Sequence, residues 1–400
     1  MTAGVLDSRV GTLERRYLNG TFAELCRIES PSGHERRCAE RVIAELRALG
    51  VEVHEDEAGA LTGSDCGNLF AFIESGQQRR GEGGPSACGR SLLLCAHLDT
   101  VPTPGPVEPV LLDGGWENAN EGILGADNKA AVAVLLALAR HIHNEGAPVD
   151  VELLFTVGEE NGLRGARAFD VSRSRSDFAY VFDHATPIGG VIIASPSHFR
   201  IEASFHGVAA HAGVRPQEGR SAILAAARAI ASMTLGRLDD ETTVNVGRIS
   251  GGSAMNVVPD RCSLLAEVRG IDDERAEATV AEVVDRVHEA ANLPDCDCDV
   301  ELSVQRTCSG YRLPTTAPAV RAAEAALAAR GHEPLLIASG GASDANALVE
   351  HGLQTVNLAN GTERNHEPGE RVGVAALEEM LEVALALLDE AAALPQRVAS

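Results

Sequence analysis

Aromatic side chains are scarce in this chain: Phe, Trp and Tyr together make up 3% of its 400 residues, and there is a single Trp. A core has to be packed from Ala, Val and Leu, within an ordinary hydrophobic content of 44%. Positive charge is also short. Thirty-four basic residues face 58 acidic ones, a formal net charge of −24, which argues against a nucleic acid or an anionic membrane as partner. The longest apolar run, residues 130–139, falls well below the roughly 20 residues that a spanning helix needs. The nine cysteines form no Cys-x-x-Cys pair, and an odd number cannot pair completely. Cys296-Asp-Cys298 has no histidine beside it, so it reads as incidental. Reduced thiols and a cytoplasmic location are expected. The first residues lack a basic segment followed by an apolar one, so no secretory signal is read there.

What is present is patterned. A chain of 400 residues exceeds what one hydrophobic core usually organises, so two domains are expected. Helical periodicity over 8–30 and 34–49 is followed by short strand patterns at 51–55, 68–73 and 91–96. Residues 75–90, rich in Gly, Ser and Arg, read as a surface loop. Residues 128–143 are apolar nearly all round and predict a buried helix, and 151–157 and 178–182 predict strands buried on both faces. The style changes near 196. Strand, helix, two strands, helix and strand follow at 199–205, 219–233, 242–249, 262–269, 272–291 and 299–304, the order of a ferredoxin-like unit. Helices at 317–330, 344–350 and 374–393, with strands at 334–337 and 355–358, then resume the first style. The expectation is an α/β catalytic domain with a mixed sheet, made of residues 1–195 and 310–400 and interrupted by an α+β lid at 196–309.

Polar residues gather where the apolar elements end. The run 91–96 closes on His97-Leu-Asp99, Asp127 stands between Gly125-Ala126 and the buried helix, Glu159-Glu160 follows strand 151–157, and Asp183 follows strand 178–182. Ligands collect at such strand ends in α/β folds. Asp99 can hydrogen-bond the second ring nitrogen of His97. Taken alone, Asp127 is equally an N-cap for the helix or a ligand. Adjacent carboxylates such as Glu159 and Glu160 repel each other unless a cation or a proton stabilises them, and one can bind metal while the other accepts a proton. A polar loop, Asn365-His366-Glu367-Pro368-Gly369-Glu370, follows strand 355–358. Together the two histidines and the carboxylates suit a pair of metal ions sharing one carboxylate. His141, His143, His184, His198, His206, His332 and His351 have no comparable setting and read as structural or surface residues.

These motifs resemble those of the M20 metallopeptidases, over nearly the whole chain, from Ser30-Pro-Ser-Gly-His-Glu35 to His366. The matching segments are His97-Leu-Asp99-Thr100, Gly125-Ala-Asp127-Asn-Lys-Ala130, Phe155-Thr-Val-Gly-Glu-Glu160 and Asn365-His366. Ile123-Leu-Gly-Ala-Asp-Asn-Lys and Gly162-Leu-Arg-Gly-Ala look closest to the peptidase T-like branch. The resemblance implies two zinc ions per subunit, with cobalt or manganese as substitutes. Asp127 would bridge them, His97 and Asp183 would complete one site, and Glu160 and His366 the other. Glu159 would be the general base and Asp99 would orient His97. A cis peptide is implied at Asp127-Asn128. His211 would polarise the scissile carbonyl, commonly from the partner subunit of a homodimer formed through the lid. Arg269 would clamp a substrate carboxylate, and Asn245 would be a polar contact, as would the loop Ser339-Gly-Gly-Ala-Ser343.

The chain departs from the pattern at Asn128, where peptidase T-like proteins usually have Asp, at Asn161, and at Glu367-Pro368, which look more like the deacylases of the wider family. The implied activity is hydrolysis of an amide bond in short peptides, as an aminopeptidase of the tripeptidase kind. The alternative is deacylation of N-acyl amino acids or acyl-peptides. A catalytically dead binding protein is disfavoured, because every implied ligand and the base are present.

Overall fold

The computed structural model describes residues 8–76 and 90–394. Most of the expected loop at 75–90, and the first seven residues read for a signal, lie outside the described residues. The chain forms two compact units, one of residues 1–193, 313–337 and 343–400, the other of residues 194–312 with 338–342.

The first unit is built on a mixed sheet with strands in the order Val53–Glu55, Leu69–Ile73, Asp150–Thr156, Ser91–His97, Phe178–His184, Thr355–Ala359 and Gly190–Ser195. Asp150–Thr156, Ser91–His97, Phe178–His184 and Thr355–Ala359 run parallel to one another, so their C-terminal ends open toward one edge of the sheet, while the flanking Leu69–Ile73 and Gly190–Ser195 are antiparallel to them. Ser91–His97 is buried at every residue, as expected for a central strand covered on both faces. Helix Ala126–Glu145 is buried over 126–139 and again at His141 and Ile142, which accounts for its apolar character all round.

A small antiparallel sheet was not read from the sequence. Pro109–Leu112 and Gly115–Asn118 form a hairpin that pairs with Arg371–Gly373 and Thr362–Glu363. Its turn is Asp113-Gly114, both at positive φ (46° and 75°), the geometry that favours Asp-Gly in two-residue hairpins. Strand Gly190–Ser195 was also missed.

The second unit carries a five-stranded antiparallel sheet in the order Gly236–Arg237, Thr242–Gly251, Arg261–Gly270, Ser197–His206 and Asp299–Cys308. Burial alternates along Ser197–His206, and the buried side chains meet helices Ala222–Ser232 and Asp273–Ala291. Ala222, Ala225, Ala226 and Ala229 pack against Ala203, Phe205 and Leu264, so the core is built from small aliphatic residues, as the shortage of aromatics requires. Apart from the two-residue strand, the order is that of the ferredoxin-like unit. The described cysteines are all buried.

Candidate metal centre

Three neighbouring parallel strands deliver the polar groups to one place. Ser91–His97 ends on His97, Asp150–Thr156 leads three residues later into Glu159-Glu160, and Phe178–His184 carries Asp183 near its end. The Nε2 of His97 lies 3.3 Å from Oδ1 of Asp127 and 3.8 Å from Oδ1 of Asp183. The other oxygen of Asp127, Oδ2, is 3.2 Å from Nε2 of His366, which is also 2.9 Å from Oε1 of Glu160. Donor atoms of His97, Asp127 and Asp183 lie within 4.8 Å of one another, and so do those of Asp127, Glu160 and His366 and those of His97, Glu159 and Glu160.

Asp127 does not cap its helix through its side chain; it and Asn128 depart from helical geometry, and the peptide between them is cis. Its carboxylate instead faces the two histidines, one with each oxygen. His366 adopts φ 66°, an uncommon conformation for a residue with a side chain, and Asn365 beside it donates to Oδ2 of Asp127 at 2.9 Å.

Asp99 is divided between two tasks. Its main-chain carbonyl accepts from Nδ1 of His97 at 2.9 Å. Its fully buried carboxylate lies 3.4 Å from that nitrogen and receives the main-chain N–H of Glu159 at 3.0 Å and of Glu160 at 3.1 Å, with the Ser32 hydroxyl at 2.6 Å.

The electrostatics show what this set lacks. Burial, followed by the charge of Asp127, pushes Asp183 up to about 7, and burial with the charge of Asp183 holds Glu159 well above the usual carboxylate range. Burial alone would lower His97, but hydrogen bonds with Asp127, Asp183 and Asp99 raise it well above an ordinary imidazole. Hydrogen bonds with Asp127 and Glu160 lift His366 to about 10. In the protein alone, protons supply positive charge that the carboxylates demand. Divalent cations would supply it instead, and a mixed imidazole and carboxylate donor set fits them. His97, Asp127 and Asp183 would hold one ion, and Asp127, Glu160 and His366 the other.

Several residues around these donors were not singled out from the sequence. Asn357 receives the N–H of Asp183 and donates to its carbonyl, both at 2.9 Å. Asp344, at the start of helix Asp344–Glu350, is buried and pushed up to about 6 by that burial; it accepts the Thr156 hydroxyl and lies 3.9 Å from the Cys95 sulfur. An isolated Asn or Asp on an apolar element carries no signal in one sequence.

The remaining expected residues belong to the second unit. His211 is exposed, and its Nδ1 accepts the N–H of Gly213 at 3.2 Å. Asn245 is exposed on strand Thr242–Gly251. Arg269 is half-buried, 3.2 Å from the carboxylate of Glu267, with a long 3.5 Å contact to the Gly340 carbonyl. Glu267 is held down to about 2, first by His198 at 2.9 Å and then by Arg269. Of the histidines read as structural, His141 bonds Glu14 at 2.8 Å and His184 bonds Thr186 at 3.1 Å.

Both units match known protein families. The model described as "Peptidase family M28" matches residues 81–192, the segment that bears His97, Asp127, Glu159, Glu160 and Asp183. The M20 model described as "Peptidase dimerisation domain" matches residues 194–293. Fold and site together define a metallopeptidase. The uncharacterised protein YqjE of Bacillus subtilis is 35% identical over 95% of this chain and 99% of its own. A crystal structure of the aminopeptidase PepT from Bacillus cereus is 34% identical with a TM-score of 0.84, covering 94% of this chain and 99% of that one. A tripeptidase structure from Staphylococcus aureus is 31% identical with a TM-score of 0.88, covering 95% and 99%. The chain belongs to the M20 peptidase family, in its peptidase T-like branch.

Proposed function

We propose that the chain is a dinuclear zinc aminopeptidase that removes the first residue from short peptides such as tripeptides. The observation that carries this reading is the orientation of Asp127, whose two oxygens face two different histidines, each beside a further carboxylate. That arrangement suits one carboxylate shared between two ions. Similarity above 30% to an aminopeptidase and to a tripeptidase supports the substrate class. Asp183, rather than the Glu typical of the carboxypeptidase and deacylase members, points the same way.

Bound zinc acts as a Lewis acid toward a peptide carbonyl and acidifies water; cobalt or manganese can substitute. His97, Asp127, Glu160, Asp183 and His366 would hold the ions. Glu159 accepts a proton from the attacking water and returns it to the departing amine. Its buried position and raised affinity for a proton suit that shuttle. The carbonyl of Asp99 fixes the His97 ring, and its carboxylate fixes the backbone under Glu159. His211 donates to the oxygen that becomes charged in the transition state, Arg269 pairs with the far carboxylate of the peptide, and Asn245 is a further polar contact.

The second unit mediates a homodimer in this reading. Support comes from the dimerisation-domain match and from exposed apolar side chains on that unit: Val208, Val214, Ile223, Leu224, Ile249 and Met255. Among the described residues no helix is long and apolar enough to cross a membrane. A cytoplasmic location is proposed from the thiol content.

The test uses zinc-loaded enzyme with one tripeptide and its N-acetylated twin, the products being identified by mass. Release of the first residue from the free-amine form alone is expected. Preference for the acetylated form would overturn the aminopeptidase assignment in favour of a deacylase, the reading that Glu367-Pro368 keeps open.

A further inference from the structure

Two of the donor carboxylates, Asp127 and Glu160, sit on short segments whose main-chain N–H groups are captured by side chains. On the first, Leu124 and Gly125 donate to Oε2 of Glu370 at 2.9 and 2.8 Å, and Asp127 donates to Oε1 at 2.9 Å. On the second, four consecutive residues do the same. Val157 donates to Oδ1 of Asn68 at 3.1 Å, Gly158 to Oε1 of Glu35 at 3.0 Å, and Glu159 and Glu160 to the two oxygens of Asp99. Glu370 and Glu35 are almost wholly buried.

The first segment leads into the buried helix and the second follows a buried strand; each turns sharply, with Gly125 at φ 75° and Gly158 at φ 61°, so its N–H groups converge as an anion cradle instead of joining a ladder. Water or a chloride could fill such a cradle, but neither would fix the segment to the rest of the fold. A carboxylate offers about four acceptor positions and makes charge-assisted bonds, so one side chain can hold two or three amides at once.

The need for such a hold is electrostatic. Asp127, Glu159, Glu160 and Asp183 repel one another, and bonds to the backbone beneath them resist the spreading of the segments. Residues 365–370 act on Asp127 from both ends: Asn365 and His366 meet its carboxylate, and Glu370 meets its N–H. Glu35 also lies near Asp65 and Cys66, a grouping that could suggest another metal site. Its two oxygens are instead committed to the N–H groups of Gly33 and Gly158 and to the Ser64 hydroxyl.

We propose that Glu370 and Glu35 are positioning residues of the metal centre, Glu370 setting the main chain of Asp127 and Glu35 that of the Glu159-Glu160 segment. This rests on the dinuclear reading above. Neither residue touches substrate; each acts through a residue that binds metal or moves a proton.

The test measures metal affinity of the full chain by competition with a chromophoric chelator, together with the visible spectrum of the cobalt-loaded protein and the melting of the metal-free protein. The variants are Glu370→Gln, Glu35→Gln and a control, Glu382→Gln. Glutamine keeps the shape; at Glu370 it turns one oxygen into an NH2 that must face an N–H, and at Glu35 the NH2 can take the Ser64 side, so the change removes the charge that strengthens the bonds to Gly33 and Gly158. Glu382 is a buried carboxylate of the same kind, but it takes the N–H groups of Arg9 and Val10 and the Ser8 hydroxyl on the N-terminal segment. Glu370→Gln and Glu35→Gln are expected to weaken metal binding about 10- to 100-fold and to alter the cobalt spectrum. Glu382→Gln is expected to lower the melting temperature and leave affinity and spectrum unchanged. Should Glu370→Gln not fold, Glu370→Asp, which keeps the charge one methylene shorter, carries the same expectation.

Wild-type protein that binds two ions, with affinity and spectrum unchanged in the Glu370 and Glu35 variants, would overturn this inference and leave the dinuclear reading standing. Equal loss of affinity in Glu382→Gln would overturn it too, since the effect would then be general destabilisation. Wild-type protein that binds no metal would overturn both readings.

Discussion

Asp99→Asn separates two roles that a His-x-Asp pair can play. If the carboxylate chiefly orients His97, the substitution should loosen metal on the His97 side. The structure assigns most of the His97 bond to the Asp99 main-chain carbonyl, at 2.9 Å, which a side-chain change leaves in place. The carboxylate holds the N–H groups of Glu159 and Glu160 at 3.0 and 3.1 Å in a site without solvent. Asparagine keeps one oxygen and points an NH2 at the other N–H. One charge-assisted bond, worth roughly 1.5–3 kcal/mol, is lost, and a buried donor is left unpaired at a further cost of about 1–3 kcal/mol. A total near 4 kcal/mol lowers the melting temperature by roughly 8–16 °C at the slope typical of domains of about 200 residues. If about 3 kcal/mol of it misplaces the base, kcat falls on the order of 10²-fold at saturating metal. Calorimetry and steady-state kinetics at several zinc concentrations read both numbers. Metal affinity should fall by less than kcat. A variant with wild-type kcat per bound metal, but weakened binding on the His97 side, would refute the assignment and return the carboxylate to the imidazole.

Two further substitutions test the roles proposed for the chemistry. Glu159→Gln should abolish turnover with bound zinc nearly unchanged by elemental analysis; metal loss with residual activity intact would remove Glu159 from the base position. His211→Ala should lower kcat by roughly 10²- to 10³-fold, the cost of one oxyanion donor. Mixing inactive His211 and Glu159 variants should restore some activity if the site is shared across a dimer, and an unaltered rate in His211→Ala alone would end that role.

The legible parts of this chain were those where chemistry and pattern coincide. Strand Ser91–His97 is a continuous apolar run ending on a histidine, and the helix at 126–145 is apolar because it is buried all round. The ferredoxin-like order of the second unit followed from alternation and helical spacing alone. The hairpin at 109–118 was missed although Asp113-Gly114 marks its turn, because the flanking residues, Pro109-Val-Leu-Leu and Gly115-Trp-Glu-Asn, do not alternate in polarity. The residues that hold the donors were not legible for a different reason. Asn68, Glu35, Asn357 and Glu370 act on main-chain N–H groups of segments distant in sequence; Glu35 and Glu370 lie in stretches that the motifs mark, but the partner of each is supplied only by the fold.

Asn357 shows how much rests on such a residue. Strands Phe178–His184 and Thr355–Ala359 pair in register up to Leu358 with Phe182, but Ala359 then faces His184, so Asp183 is the extra residue of a bulge. A bulge re-aims a side chain and interrupts the ladder at that residue. The Asn357 side chain bonds both Asp183 main-chain groups at 2.9 Å, accepting from the N–H and donating to the carbonyl. Asn357→Asp is nearly isosteric, keeps the acceptor, and replaces the donor with a second oxygen facing the Asp183 carbonyl. The buried site loses one hydrogen bond, about 1 kcal/mol, and leaves acceptors opposed at a further cost of about 1–3 kcal/mol. The added negative charge also stands close to Asp183, whose own charge is already resisted by burial. Metal-free protein should therefore melt several degrees lower, and zinc should recover only part of the difference because Asp183 is displaced. Melting curves with and without zinc measure the split: full recovery by zinc would mean that the ion alone places Asp183 and that the Asn357 clamp is dispensable.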